Sequence, residues 1–402
     1  MPTRQTAAPR ETTDTEGAVR PGPLSGLVVA DFSRILAGPY CTMLLADLGA
    51  EVIKVEGPGG DDTRTWIPPE RDGVSTYYLA INRNKRSITL DFKDPSNLAV
   101  AQDLAARADI VIENFKPGGL KRFGLDYDTV ASRNADVVYA SISGFGTGQG
   151  ASLPGYDLLV QAMSGLMSLT GDPNGEPYRA GISVFDVMTG MHAAIGILSA
   201  INHRNTSGQG QHVEVNLLSS ALSALVNHTS AYVAGGVVPL RMGNAHPSLF
   251  PYEPLPTADK DLIVIAGNDG QFRKLCAVLE LDDLVDDERF LHNEDRTRNR
   301  EQLRPYLVDK LKQRGADQWF AILAAAGLPS GPINTVKGGI DFAEKIGLAP
   351  VVEVGEGDDM VPSVRNPITF SATPVDYILP PPKPGQHTKE IQAWLDRSRP
   401  QS

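Results

Sequence analysis

Between Leu27 and Phe145, short apolar runs without a helical period alternate with helix-like segments, and this alternation limits the fold more than any other feature of the chain. LVVADF (27–32), EVIKVE (51–56), SITLDF (87–92), DIVIENF (109–115) and VVYASISGF (137–145) read as strands. Residues 39–48, 96–107 and 126–133 read as the helices between them. A strand, a helix and a second strand of these lengths make a parallel crossover, because a tight turn cannot join parallel strands. The series predicts an α/β fold with a large Rossmann-like, doubly wound parallel sheet covered by helices on both faces.

After Gly155 the character changes. Residues 157–169 and 186–202 read as helices, HVEVNLL (212–218) as a strand, and a further apolar helix runs to about Tyr232. A chain of 402 residues exceeds what one core supports, so a second domain is expected. LIVIAG (262–267), with helices near 271–280, 300–313 and 316–326, supplies a smaller α/β unit. Gly- and Pro-rich stretches at 235–256 and 380–385 read as long linkers, followed by a last helix at 388–395. The expected division is a disordered tail (1–22), a large domain (23–232), a linker and loop (233–260), a small domain (261–345) and a segment returning to the large domain (346–402).

A formal net charge of -11 argues against sequence-independent nucleic-acid binding, although a local basic groove could still hold an anion. No apolar run reaches the roughly 20 residues that span a bilayer, so no membrane is expected. The first twenty residues lack a signal peptide's apolar stretch, and Glu11, Asp14 and Glu16 do not suit a targeting presequence. Cys41 and Cys276 stand far apart in no metal or redox spacing. A cytoplasmic protein is expected.

The chain carries, in this order, FSRILAGPYCTMLLADLGAEVIKVE (32–56), NRNKRSITLDFK (82–93), ENFKPGGLKRFGLDY (113–127), SISGFGTGQG (141–150) and GYDLLVQAMSGLMSLTG (155–171). RAGISVFDVMTGMHAAIGILSA (179–200), GNAHPSLFPYE (243–253), GNDGQF (267–272), GPIN (331–334) and PGQHT (384–388) follow. Together these segments resemble the CaiB/BaiF (class III) coenzyme A transferase family. The resemblance implies two-domain subunits interlocked as a homodimer. It implies transfer of coenzyme A from an acyl-CoA to a small carboxylic acid, with the thioester as substrate, no permanently bound cofactor and no metal. The family's nucleophile falls on Asp186, which would form an aspartyl anhydride and then an aspartyl-CoA thioester. Position alone reads Asp186 as a helix N-cap, stabilised by free amides and the helix dipole.

CoA carries phosphates and needs cations and amide donors. The resemblance assigns contacts to Asn84, Lys85 and Arg86, where a solvated basic loop is the alternative, and to Asn114, Arg122 and Phe123. Arg34 and Ile35 follow the first strand, at the carboxyl edge where open sheets bind ligands, with a core role for Ile35 left open. Asp157 matches an acidic position near the family's active site and is alternatively a cap for 158–169; Tyr156 precedes it. Gly243 would belong to a mobile glycine loop, with His246 as a hydrogen-bonding loop residue. Leu36, Gly57 and Pro154 depart from the formyl-CoA transferase pattern, which argues against formate and oxalate. Other segments look closest to the succinyl-CoA:glutarate branch, with Arg64, Arg83 or Arg241 for the distal carboxylate. The rival is a racemase of the same superfamily, disfavoured because Tyr156 stands where racemases carry histidine. A nicotinamide-dependent oxidoreductase lacks its G-x-G-x-x-G, and a non-catalytic CoA-binding protein is the third reading.

Overall fold

A computed structural model describes residues 22–397, so the tail expected over 1–22 lies outside the described residues except for Gly22. The chain forms two units, one of residues 165–179 and 236–348 and the other of the remainder.

The larger unit is built on six strands: β1 (Val28–Asp31), β2 (Glu51–Glu56), β3 (Lys85–Thr89), β4 (Ile110–Glu113), β5 (Val138–Ser143) and β6 (Gln211–Asn216). They pair in the order β3-β2-β1-β4-β5-β6, every neighbour parallel. Helices α1 (Ala37–Asp47), α2 (Thr76–Ile81), α3 (Pro95–Arg107), α4 (Tyr127–Arg133), α5 (Asp157–Met163) and α6 (Val184–Ser207) accompany the strands. Val28, Ala30, Ile53, Val111 and Tyr139 pack one sheet face against α3, α4 and the helix Thr388–Arg397. Helices α1 and α6 lie against the strands as well and pack on each other. From β1 the chain winds first toward β3 and then, from β4, the other way. The strand order therefore reverses between β1 and β4, and ligands bind such sheets outside the carboxyl ends at that point.

Helix α6 has 24 residues, longer than expected. With a mean hydropathy of 1.6 it is long and apolar enough to cross a membrane by length and composition. Here it packs on α1, β5 and β6. The approach is close at Gly190, where a Cβ would lie 2.6 Å from the Ala37 carbonyl oxygen at the start of α1. Gly190→Ala is therefore expected to lower stability by about 1–3 kcal/mol, measured by urea unfolding, because backbone cannot step aside as a side chain can.

The edge strand β3 is covered by the chain's returning end. Leu379 O accepts from Asn84 N at 2.7 Å, His387 Nδ1 accepts from Ser87 N at 3.1 Å, and Ser87 O accepts from His387 N at 2.9 Å. The PGQHT segment is thus a strap along an open sheet edge.

The second unit has an antiparallel sheet of Tyr252–Pro256, Asp261–Ile265 and Ser330–Pro332, with Asp261–Ile265 central. Phe250, Leu255, Phe272, Leu303 and Trp319 belong to its core, shared with helices Asp269–Leu279, Arg300–Leu311 and Ala316–Ala325. The strand Tyr252–Pro256 falls within the expected linker because Pro254 and Pro256 do not read as strand. An edge strand tolerates them, since its outer donors are not needed. The helix expected over 157–169 is broken at Gly165, whose φ is +97°.

Candidate active site

Asp186 is the third residue of α6, in its first turn rather than at its cap. Ser183, which holds the cap position, makes no side-chain cap bond. Instead Asp157 reaches across from α5, and its Oδ2 accepts from the amides of Phe185 (2.7 Å) and Asp186 (3.1 Å). Gln161, one turn further along α5, donates to Asp157 Oδ1 and to Ile182 O (3.1 Å), while its own carbonyl accepts from Ala180 N at 2.8 Å. Helix α5 thereby fastens the segment that delivers Asp186.

Two expectations are corrected here. Asp157 does not cap its own helix; it caps another. The amides expected to stabilise Asp186 are taken by Asp157, and among the described residues no donor reaches the Asp186 carboxylate. Burial, with the Asp157 charge added, pushes Asp186 up to about 7. Its carboxylate is therefore poorly solvated, which strengthens it as a nucleophile. Tyr77 on α2 lies near the side chain of Ser183, which draws its phenol down. Burial outweighs that and pushes the phenol up, and the Asp186 charge adds to the rise. Tyr156 is 69% exposed before α5.

At the carboxyl edge, where the strand order reverses, lies a cavity of about 260 Å³ lined by residues that include Phe32, Arg34, Lys54, Asp61, Lys93 and Phe123. Asn114, just past β4, brackets the backbone of Arg34: its Oδ1 accepts from Arg34 N (2.9 Å) and its Nδ2 donates to Arg34 O (2.7 Å). Ile35 has φ +70°, a left-handed conformation unusual for a β-branched residue. The rings of Phe92 and Phe123 meet edge-on at 5.3 Å, and the Arg122 guanidinium lies 4.5 Å over Phe123. Arg34 is exposed and 3.3 Å from Asp62, and Lys93 is exposed at the cavity rim. An aromatic-lined cleft ringed by cations suits a nucleotide with phosphates. Asp186 does not line this cavity, but Gly190, four residues on along α6, packs close to Ala37, two residues after Ile35 in the chain.

A second cavity of about 260 Å³ opens beside β4, β5 and β6, with Glu113, Ser141 and His212 in its wall. Ser141 Oγ lies 2.9 Å from His212 Nε2, and Glu113 Oε2 accepts from Phe115 N at 2.8 Å. Glu113 thereby fixes the turn that presents Asn114.

The basic run at 82–86 is engaged inside the protein rather than forming a solvated loop. Lys85 is fully buried and its ammonium is shared among Asp31 (3.4 Å), Pro39 O (2.8 Å) and Asn82 (3.0 Å). Asn84 is buried and holds the returning segment through Asp376 O and the amides of Ile378 and Leu379. Arg86 pairs with Glu51 and Glu390. Arg64 is likewise spent as a carboxylate binder: it grips Glu56 with two bonds of 2.8 Å and also reaches Tyr78 and Pro382 O. Arg83 pairs with Asp47 at 2.6 Å. Gly243 and His246 belong to the second unit. Gly243 has φ +61° and donates to Gly171 O at 3.0 Å, and His246 Nδ1 accepts from Ser248 N at 3.0 Å. Arg241, anchored only on Asp172 O and Gly175 O, has no acidic partner among the described residues. Among those residues no three His, Cys, Asp or Glu side chains converge as a metal site. Tyr77, Lys93 and Gln161 carry no signal of their own in the sequence beyond the place of Gln161, one turn from Asp157 on an otherwise apolar helix.

The sequence pattern of CoA-transferase family III matches residues 24–388. The chain is 44% identical over 390 residues to a succinate–glutarate CoA-transferase of Agrobacterium fabrum, covering 94% of this chain and 96% of that one. It is 38% identical over 380 residues to an acetyl-CoA:oxalate CoA-transferase of Acetobacter aceti, covering 93% and 94%. Its fold matches the crystal structure of a CAIB/BAIF family protein from Brucella suis with a TM-score of 0.84 at 43% identity, covering 93% of this chain and 100% of that one.

Proposed function

This chain belongs to CoA-transferase family III, and from that premise we propose that it moves coenzyme A from an acyl-CoA such as succinyl-CoA to a dicarboxylic acid through covalent intermediates on Asp186. The observation that carries the reading is a half-buried carboxyl, raised to about 7 by desolvation and held in the first turn of α6 by Asp157.

The Asp186 carboxylate attacks the thioester carbonyl and the C–S bond breaks, giving an aspartyl anhydride and CoA thiolate. The thiolate attacks the aspartyl carbonyl, expels the donor acid and leaves an aspartyl-CoA thioester. The acceptor carboxylate then attacks this thioester, forming a second anhydride and thiolate. Return of the thiolate to the acceptor's carbonyl yields the new acyl-CoA and restores Asp186. No water enters, and burial around Asp186 works against hydrolysis of the anhydrides. The aromatic-lined cavity takes the nucleotide, with Arg34, Lys93 and Arg122 for its phosphates, so binding energy far from the thioester supports the chemistry. Lys93→Ala is expected to raise the KM for acyl-CoA about tenfold with kcat nearly unchanged, read from transfer kinetics.

The oxalate relative weakens the expectation that oxalate is excluded, and glutarate and oxalate share the dicarboxylate class. We assign the protein to a homodimer, interlocked as in the family. Exposed Met191, Ile195 and Leu198 on α6, with Leu222 and Val226 just beyond β6, support a covered face there. The unpaired cysteines Cys41 and Cys276 accord with a cytoplasmic setting.

The test is a mass-spectrometric assay in deuterated water with succinyl-CoA and a panel of glutarate, itaconate, citramalate and oxalate. A branched 2-methylacyl-CoA runs as a separate substrate. New dicarboxyl-CoA species that vanish with Asp186→Asn support the reading. No transfer, with deuterium entering beside the thioester carbonyl of the branched substrate, would establish the racemase instead.

A further inference from the structure

A strand buried on both faces of a parallel sheet is ordinarily apolar. β2 breaks that pattern at its carboxyl end, where Lys54 is 1% exposed. Its ammonium donates to Asp61 Oδ2 at 2.8 Å and to Ser33 O at 3.2 Å. Ser33 belongs to the loop after β1 and Asp61 to the loop after β2, and both loops wall the nucleotide cavity.

Asp61 passes the contact on. Its Oδ1 accepts from Thr63 N (3.0 Å) and Thr63 Oγ1 (2.8 Å), and more distantly from Ile35 N (3.5 Å), while its own amide donates to Glu56 at 3.0 Å. Three consecutive residues are therefore held from three directions: Ser33 by Lys54, Arg34 by Asn114, and Ile35 by Asp61. The last of the three, Ile35, is left-handed, a conformation that persists only where its surroundings over-determine it. A buried ion pair seldom stabilises more than apolar residues of the same volume would. The pair therefore makes more sense as a device for geometry than for stability.

We propose that Lys54 is a positioning residue for acyl-CoA: through Asp61 and Ser33 it holds the loop of Arg34 and Ile35 in the shape that receives the nucleotide. This rests on the CoA-transferase reading of the cavity. Because Asp186 lies outside that cavity, the effect belongs to binding and not to the chemical step.

The experiment compares Lys54→Met, Asp61→Asn and the double variant in the full chain. It measures acyl-CoA KM and kcat, CoA affinity by calorimetry, and Tm. Lys54→Met is expected to raise KM and the CoA Kd about tenfold or more, with kcat within about threefold of wild type. Asp61→Asn should raise them similarly. The double variant has no buried unpaired charge, so its Tm should recover while KM stays high and exceeds neither single variant by much. The double variant also keeps the question answerable if Lys54→Met does not fold. Recovery of KM together with Tm would overturn the proposal in favour of a purely structural pair. A fall in KM on Asp61→Asn would overturn it too, because a freed ammonium would then be binding CoA directly. If wild type transferred nothing, the transferase reading would fall, while the calorimetric affinities would still decide the role of Lys54.

Discussion

Asp186→Asn is expected to reduce transfer by roughly 10³-fold or more while leaving CoA affinity within about threefold of wild type. An amide nitrogen and oxygen fill the same space but form no anhydride. Wild-type-like turnover would remove Asp186 from the mechanism. The same residue sets a pH dependence. With its carboxyl raised to about 7, Asp186 is protonated and inert in mild acid, so kcat/KM should climb through that value to a plateau above it. The sign for stability is opposite. Between the ordinary carboxylate range and about 7 the native state keeps a proton that the unfolded chain has released, so this group's contribution to stability falls as pH rises through that window. Asp186→Asn removes the cost of ionisation. Its Tm relative to wild type should therefore improve between about pH 5 and about pH 8, and a constant difference would show that Asp186 is not raised.

The second large effect is expected at Asp157. Asp157→Ala strips the acceptor from two amides at the head of α6 and leaves Gln161 Nε2 only its bond to Ile182 O, with one of its two N–H groups unpaired. Loss of such a cap costs about 1–2 kcal/mol, and a buried unsatisfied donor adds to it. Asp186 then loses its fixed position, and a misplacement on the order of 1 Å is enough for about a hundredfold loss in kcat. The charge of Asp157 also helps to raise Asp186, so its removal should shift the acid limb of the pH profile downward. Asp157→Asn keeps an acceptor and removes only the charge. It should move the limb with much less loss of Tm, and a limb unmoved in both variants would deny the coupling.

Strands β1, β2, β4 and β5 of the parallel sheet are legible because strands buried on both faces leave apolar runs, and Val52, Ile53 and Val55 mark β2 whatever Lys54 does. Asp186 is legible through resemblance, since FDVMTGMH by itself reads as a helix start. Its environment is not legible. Asp157 stands 28 residues before Phe185, and only tertiary packing makes it the cap of α6. Lys85 misleads for the same reason: in sequence it sits in a basic cluster, while its acceptor Asp31 comes from a strand two positions across the sheet. Arg64 and Arg83 look available until Glu56 and Asp47 are placed beside them. Local patterns record which residues are buried, and partner identity across tens of residues leaves no trace in them.

The strap along β3 has a consequence for how the chain is made. A ribosome completes all six strands of the large sheet once β6 has emerged, yet the segment that covers β3 is synthesised only after residues 236–348 of the second unit. At roughly 5–20 residues per second, the roughly 300 residues between β3 and its cover leave that edge open for about 15–60 s. During that interval the nascent sheet offers unpaired amides and carbonyls to any neighbouring chain. The order of synthesis thus leaves an open sheet edge until residues 384–388 have been made, and a chain that stops short of residue 384 keeps that exposure for good.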